Sequence, residues 1–119
     1  GLAQFMPATW EQWAPKRGYE VDDITDPKAS VRVGAAYMSY LLGQWSAPRP
    51  EIDRHCLAMA SYNAGLGSLL EAQEVSGGLN GYSEIIKHLP AVTGKHADET
   101  KTYVKRILGY YADHVTGPE

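Results

Sequence analysis

Asp26-Pro27-Lys28-Ala29-Ser30-Val31-Arg32-Val33-Gly34-Ala35-Ala36-Tyr37-Met38-Ser39-Tyr40-Leu41-Leu42-Gly43-Gln44-Trp45 is the stretch on which the fold turns. Val33, Ala36, Tyr37, Tyr40, Leu41 and Gln44 recur at intervals of three and four, the stripe of an amphipathic helix. Asp26 offers a side-chain acceptor to the first free backbone N–H groups and Pro27 has its φ already set, so the helix starts there and runs to about Trp45. Pro48 and Pro50 break the chain beyond it. Toward the N-terminus, Pro7 occupies a first-turn position, Trp10 and Trp13 lie at helical spacing and Pro15 stops the run, which predicts a short helix over 7–14. Lys16 to Asp26, with Gly18 and several acids, reads as a loop. Toward the C-terminus the spacing predicts a helix over 51–64, with Ile52, Cys56, Met59 and Tyr62 on one face and Gly65 as its stop. Gly67 permits a tight link into a short helix near 68–75. Gly77, Gly78, Asn80 and Gly81 mark the most flexible loop. Tyr82 to Leu89 reads as one or two helical turns stopped by Pro90. A last helix from about Asp98 carries Tyr103, Val104, Ile107, Leu108, Tyr111 and Val115 on one face and closes at Gly117-Pro118. No repeat, low-complexity segment or strand pattern interrupts this series, so the chain reads as all-α with five or six helices.

The 119 residues make one domain, large enough for a single core. The eleven Lys and Arg are scattered and the net charge is −3, so no basic stripe exists to displace counterions from a nucleic acid or to hold an anionic membrane surface. The longest apolar stretches, around Val33–Leu42 and Leu57–Ala60, are too short to insert across a bilayer. Cys56 is the only cysteine, which excludes an intrachain disulfide, and its helical setting among Leu57, Met59 and Ala60 suits a small buried hydrophobe. His55, His88, His96 and His114 show no metal-ligand spacing, and neither a metal nor a cofactor is expected. Glu11, Glu51, Glu71, Glu74 and Glu84 fall where solvated helix faces are expected.

Four blocks in order carry more information than any of these. They are Gly1-Leu2-Ala3-Gln4-Phe5-Met6-Pro7-Ala8-Thr9; Asp26-Pro27 through Gly34-Ala35-Ala36-Tyr37; Ala60-Ser61-Tyr62-Asn63-Ala64-Gly65-Leu66-Gly67; and Leu89-Pro90-Ala91-Val92-Thr93-Gly94 with Glu99-Thr100, Tyr103-Val104 and Ile107-Leu108. Together they cover nearly the whole chain and resemble the soluble lytic transglycosylases, the lysozyme-like enzymes of the goose-type superfamily. Ala3 departs from the family, which usually has Met there.

The residues in these blocks have both chemical and structural readings. Gln4 offers an amide donor and acceptor suited to a sugar hydroxyl or acetamido group, or sits in a surface turn. Met6 can floor a groove or fill the core. Tyr62 and Asn63, at a helix end, can present a phenol and an amide to a cleft; the structural alternatives are a core tyrosine and an asparagine bonding local backbone. Glu99, early in the last helix, is favoured there by exposed backbone N–H groups whatever else it does, and Tyr103, one turn on, shares its face. The resemblance implies that Gln4, Met6, Tyr62, Asn63, Glu99 and Tyr103 bind the glycan, with Tyr62 and Glu99 supporting catalysis.

The resemblance also implies a reaction. Enzymes of this family cut the β-1,4 bond between N-acetylmuramic acid and N-acetylglucosamine. A single glutamate, partly protonated in a dry pocket, donates to the glycosidic oxygen and then takes the proton from the C6 hydroxyl, leaving a 1,6-anhydro product. The family places that glutamate on a helix upstream of the Gly1 block. The expectation is therefore a domain over 1–119 that forms the C-terminal major part of the enzyme, lacks the part bearing the acid–base glutamate and is inactive alone. That part would come from a missing N-terminal segment or a second polypeptide. Two alternatives stand beside this reading: a goose-type lysozyme-like hydrolase, and a non-catalytic peptidoglycan-binding or phage structural module. The partner is peptidoglycan in each case, with the protein in the periplasm or cell envelope, or secreted or virion-associated if it derives from a phage lysin.

Overall fold

The computed structural model describes the backbone of residues 7–115 and the side chains of residues 8–110. Gln4 and Met6, and the side chains of Tyr111 and Val115, lie outside the described residues. Within them the chain is mostly helical and contains no strand: α1 (Pro7–Trp13), α2 (Pro27–Gln44), α3 (Glu51–Ala64), α4 (Leu66–Val75), α5 (Tyr82–Ile86), α6 (Pro90–Thr93) and α7 (His96–Val115). Six of these have five residues or more and α6 is a single turn, in line with the expected all-α fold.

Helix α3 is the axis of the molecule. Cys56, Leu57, Ala58, Met59, Ala60 and Ser61 are buried in succession, so it is enclosed all round rather than along one stripe. Helices α2, α4, α5 and α7 pack against it. Its small residues Ala58, Ala60 and Ser61 allow those neighbours to approach closely on every side. The burial of Cys56 agrees with its reading as a core residue, whereas Ile52, expected on the buried face, is 56% exposed because it lies in the first turn, ahead of the enclosed segment. Trp45, at the end of α2, points its indole N–H into this core and donates to Ser61 Oγ at 2.9 Å; Ser61 in turn donates to the Leu57 carbonyl at 2.7 Å. Both polar groups are thus satisfied although fully buried.

A smaller core of Trp10, Ala14, Ala29 and Val33 fixes α1 on the start of α2, and the Trp10 indole N–H donates to the Val21 carbonyl at 2.8 Å. The expected cap is present: the Asp26 side chain accepts from the Lys28 backbone N–H at 3.0 Å, with Pro27 as the first helical residue. The stripe of α2 is Ala29, Val33, Tyr37 and Leu41, continued by Trp45. Tyr40 and Gln44 are exposed, one step around the helix from that line.

Several expectations need correcting. The Lys16–Asp26 loop contains two short 3-10 turns, Pro15–Arg17 and Val21–Thr25. Gly65, not Gly67, makes the reversal after α3: at φ +95° it redirects the chain within one residue, so α4 begins at Leu66 and Gly67 lies inside it. Gly77 and Gly78, at φ +88° and +84°, make a turn that carries side-chain hydrogen bonds. There Ser76 Oγ donates to the Gln73 carbonyl, Gln73 Nε2 to the Leu79 carbonyl, and Arg49 Nε to the Asn80 carbonyl. Pro90 does not merely stop α5; it opens α6, where a missing N–H costs nothing. Helix α7 begins two residues earlier than expected, at His96.

Candidate functional site

The end of α3 and the first turns of α7 meet, and the predicted site residues gather where they do. Asn63, Asp98, Glu99, Thr102, Tyr103 and Arg106 line an open hollow of about 290 Å³. Asn63 comes from the last turn of α3, just before Gly65 ends the helix. Glu99, Thr102, Tyr103 and Arg106 recur at intervals of three and four along α7, which puts them on one face.

Asn63 does not bond local backbone as its structural reading supposed. Its Oδ1 accepts from Thr100 Oγ1 at 2.7 Å, a bond across 37 residues that ties α3 to α7. Thr100 is fully buried. Glu99 and Tyr103 share the hollow, but the partner of Glu99 is His96, whose Nε2 lies 3.2 Å from Glu99 Oε2. The Glu99 side chain is 67% exposed and belongs to the first turn of α7, where unpaired backbone N–H groups favour a negative charge. An exposed carboxylate lacks the dry setting that proton donation to a glycosidic oxygen demands.

Tyr62 lies outside the lining of the hollow and belongs to an aromatic row. Its ring centroid is 5.4 Å from that of Tyr37, which is 5.4 Å from Trp13, which in turn is 5.0 Å from Tyr40. Burial, and then the neighbouring phenols Tyr103 and Tyr37, push the Tyr62 hydroxyl well above the ordinary tyrosine range. Burial raises Tyr103 as well. Near neutral pH both therefore keep their protons, which makes them hydrogen-bond donors and not bases or nucleophiles. The row runs from the buried Tyr37 out to Tyr40, 42% exposed, and Lys16 Nζ sits 4.4 Å over the Trp13 ring.

Amide, phenol, carboxylate and guanidinium groups around a shallow hollow beside half-exposed rings are the complement of a sugar, whose edges carry hydroxyls and whose faces are apolar. Sequence reasoning brought Asn63, Glu99 and Tyr103 to this place and missed Arg106, Thr102 and the Trp13–Tyr40 pair. The i, i+3, i+4 series from Glu99 through Arg106 was the available signal for the first two. Nothing local to the sequence marks the ring pair, since it joins two helices. Among the described residues no group of three or more His, Cys, Asp or Glu side chains is placed to hold a metal ion. None of the described helices is long and apolar enough to cross a membrane.

Comparison with known proteins points the same way. The model of the Transglycosylase SLT domain family matches residues 1–85. Among curated proteins, a membrane-bound lytic murein transglycosylase F of Alteromonas mediterranea is 33% identical, the match covering 93% of this chain and 26% of the relative. The protein of the same name from Pasteurella multocida is 34% identical over the same shares. That from Yersinia pestis is 32% identical, covering 82% of this chain and 20% of the relative. The chain thus spans about a quarter of the length of the first two relatives. No solved structure matches it significantly. With the family's model matched over most of its length, and the helices that carry the Tyr62-Asn63 and Glu99 blocks converging on one hollow, the chain belongs to the Transglycosylase SLT domain family.

Proposed function

We propose that residues 1–119 form the major, C-terminal part of a lytic transglycosylase domain that binds murein glycan and takes part in cleaving its β-1,4 bond with formation of a 1,6-anhydro end. The convergence of Asn63, Glu99 and Tyr103 from two distant helices on one hollow carries this reading. In it, Asn63 and Tyr103 bond the acetamido and hydroxyl groups of the sugar, Tyr62 and the Trp13–Tyr40 rings, backed by the buried Tyr37, support its faces, and Glu99 orients it. Gln4 and Met6 join them as further glycan contacts. The general acid is a more deeply desolvated carboxyl than Glu99, supplied by an N-terminal segment or a second polypeptide. The names of the relatives, membrane-bound lytic murein transglycosylases, favour transglycosylation over lysozyme-type hydrolysis or a purely binding role, and they support a reaction at the cell envelope.

The test uses protein expressed from the intact gene and purified murein sacculi, with products read by mass spectrometry. The expected products carry 1,6-anhydro ends, and Tyr62→Phe and Glu99→Gln each lower turnover without changing the unfolding midpoint. Reducing ends in place of anhydro ends would refute transglycosylation. Full turnover in both variants would refute the assigned roles.

A further inference from the structure

A second hollow, of about 480 Å³, lies away from the first and is lined by Arg17, Tyr19, Arg32, Ala35, Ala36 and Ser39. We infer that it is a subsite for the carboxylates of the peptide stem borne by the glycan, held by Arg17 and Arg32; this rests on the murein reading above.

Two guanidinium groups from different elements, the first 3-10 turn and α2, meet there in a chain whose net charge is −3. Among the described residues neither has a carboxylate within ion-pair distance, and the ion pairs there are made by Arg54, His55 and His96. Two acids between them along the chain are turned to other work: Asp23 accepts from the Glu20 backbone N–H at 2.8 Å and Asp26 from the Lys28 backbone N–H at 3.0 Å. Arg32 is held in place, because its Nη1 donates to the Tyr19 hydroxyl at 3.1 Å. Tyr19 is itself packed against the core formed by Trp10, Ala14, Ala29 and Val33. One end of the Arg32 fork is thus used for positioning while its other donors stay available, and a planar fork with free donors is the group that best matches a carboxylate.

The floor favours a short peptide over a bare ion. Ala35 and Ala36 present two methyl groups and no bulk, which suits alanine side chains, and the Ser39 and Tyr19 hydroxyls can meet peptide groups. Two guanidiniums without a basic stripe around them do not suit a nucleic acid. The position also fits. Ala36 and Ser39 are the chain neighbours of Tyr37 and Tyr40, so a glycan on the aromatic row would have this hollow beside it to receive the stem.

The test titrates protein expressed from the intact gene with three probes at low salt, followed by calorimetry: a muramyl peptide with free carboxylates, the same compound with its carboxylates amidated, and a stem-free N-acetylglucosamine oligosaccharide. Arg17→Gln together with Arg32→Gln should weaken binding of the free-carboxylate probe about tenfold, the size expected for losing charge-assisted bonds at an exposed site. Binding of the oligosaccharide should be unchanged. Arg17→Lys with Arg32→Lys should give a smaller loss, because charge remains without the fork. Both side chains are exposed, so these variants leave the core intact. Equal affinity of the parent for the free and amidated probes, or of the double Gln variant and the parent for the free probe, overturns the inference. Displacement of the muramyl peptide by an equal concentration of inorganic phosphate would likewise reduce the site to a general anion hole. If the parent binds the muramyl peptide through its arginines but not the oligosaccharide, the glycan reading falls and the carboxylate site stands.

Discussion

Replacing Thr100 by Val tests whether the hollow is held by the bond between its two helices. The side chain is fully buried and its hydroxyl gives Asn63 Oδ1 a 2.7 Å hydrogen bond; the contact with the His96 carbonyl, at 3.4 Å, is longer and weaker. Valine keeps the shape and removes the donor. A net intramolecular hydrogen bond contributes about 0.5–1.5 kcal/mol, and a fully orphaned buried partner costs about 1–3 kcal/mol. Asn63 is only half-buried, so water can reach its freed oxygen, and the lower range applies: about 1 kcal/mol. For a domain of this size that lowers the melting temperature by roughly 4 °C. A double-mutant cycle with Asn63→Ala, read by chemical denaturation, should return a coupling energy of about 1 kcal/mol, because each single change removes the same bond. Thr100→Ser should restore most of the loss. The functional readout separates positioning from packing: Thr100 does not line the hollow, yet Thr100→Val should weaken glycan binding several-fold by freeing the Asn63 amide, and Thr100→Ser should recover it. Additive single-mutant effects, or glycan affinity unchanged in Thr100→Val, would refute the reasoning.

Burial pushes the Tyr82 phenol up to about 12, so between its unfolded value near 10 and that point the folded chain holds a proton the unfolded chain releases. Stability contributed by this group is therefore complete below pH 10 and falls as pH rises toward 12; the urea midpoint should drop across that range, and less steeply in Tyr82→Phe. A flat midpoint, or identical slopes, contradicts the assignment. Ser61→Ala leaves the Trp45 indole N–H buried without its acceptor and should cost about 1–3 kcal/mol in denaturant unfolding, while Trp45→Phe added to it should cost much less than the sum. Leu57→Ala, at the middle of the enclosed helix, should cost about 2–5 kcal/mol. A loss below 1 kcal/mol would mean that α3 is not the packed axis.

What could be read before the structure was what the chain states locally. Asp26-Pro27 names a helix start with its own side chain and ring, and Gly65 names an end, so the bounds of α2 and α3 followed from adjacent residues. Periodicity alone could not tell the centre of a stripe from its margin, and Tyr40 and Gln44 were placed inward when they lie at the edge. Nor could it show that α3 is enclosed on every side, since that depends on which helices arrive from elsewhere. The Thr100–Asn63 bond and the Trp13–Tyr40 contact join parts of the chain 37 and 27 residues apart and have no local signature.

The register of the site nevertheless has a simple physical origin. Tyr62 follows Ser61, and Glu99 precedes Thr100; in each pair the hydroxyl residue is fully buried. Ser61 is fixed by the Trp45 indole from the end of α2, and Thr100 by Asn63 from the end of α3. Successive residues of a helix are about 100° apart around its axis, so pinning a short hydroxyl inward turns its neighbour sideways, toward the flank of the helix. That is where Tyr62 meets the aromatic row and Glu99 meets the hollow. An apolar residue of similar size at 61 or 100 would still fill the space, but it would lose the directional bond that sets the rotation of its helix. On this argument the two buried hydroxyls determine which way the candidate glycan contacts face, and changing them should alter binding geometry more than it alters the amount of folded protein.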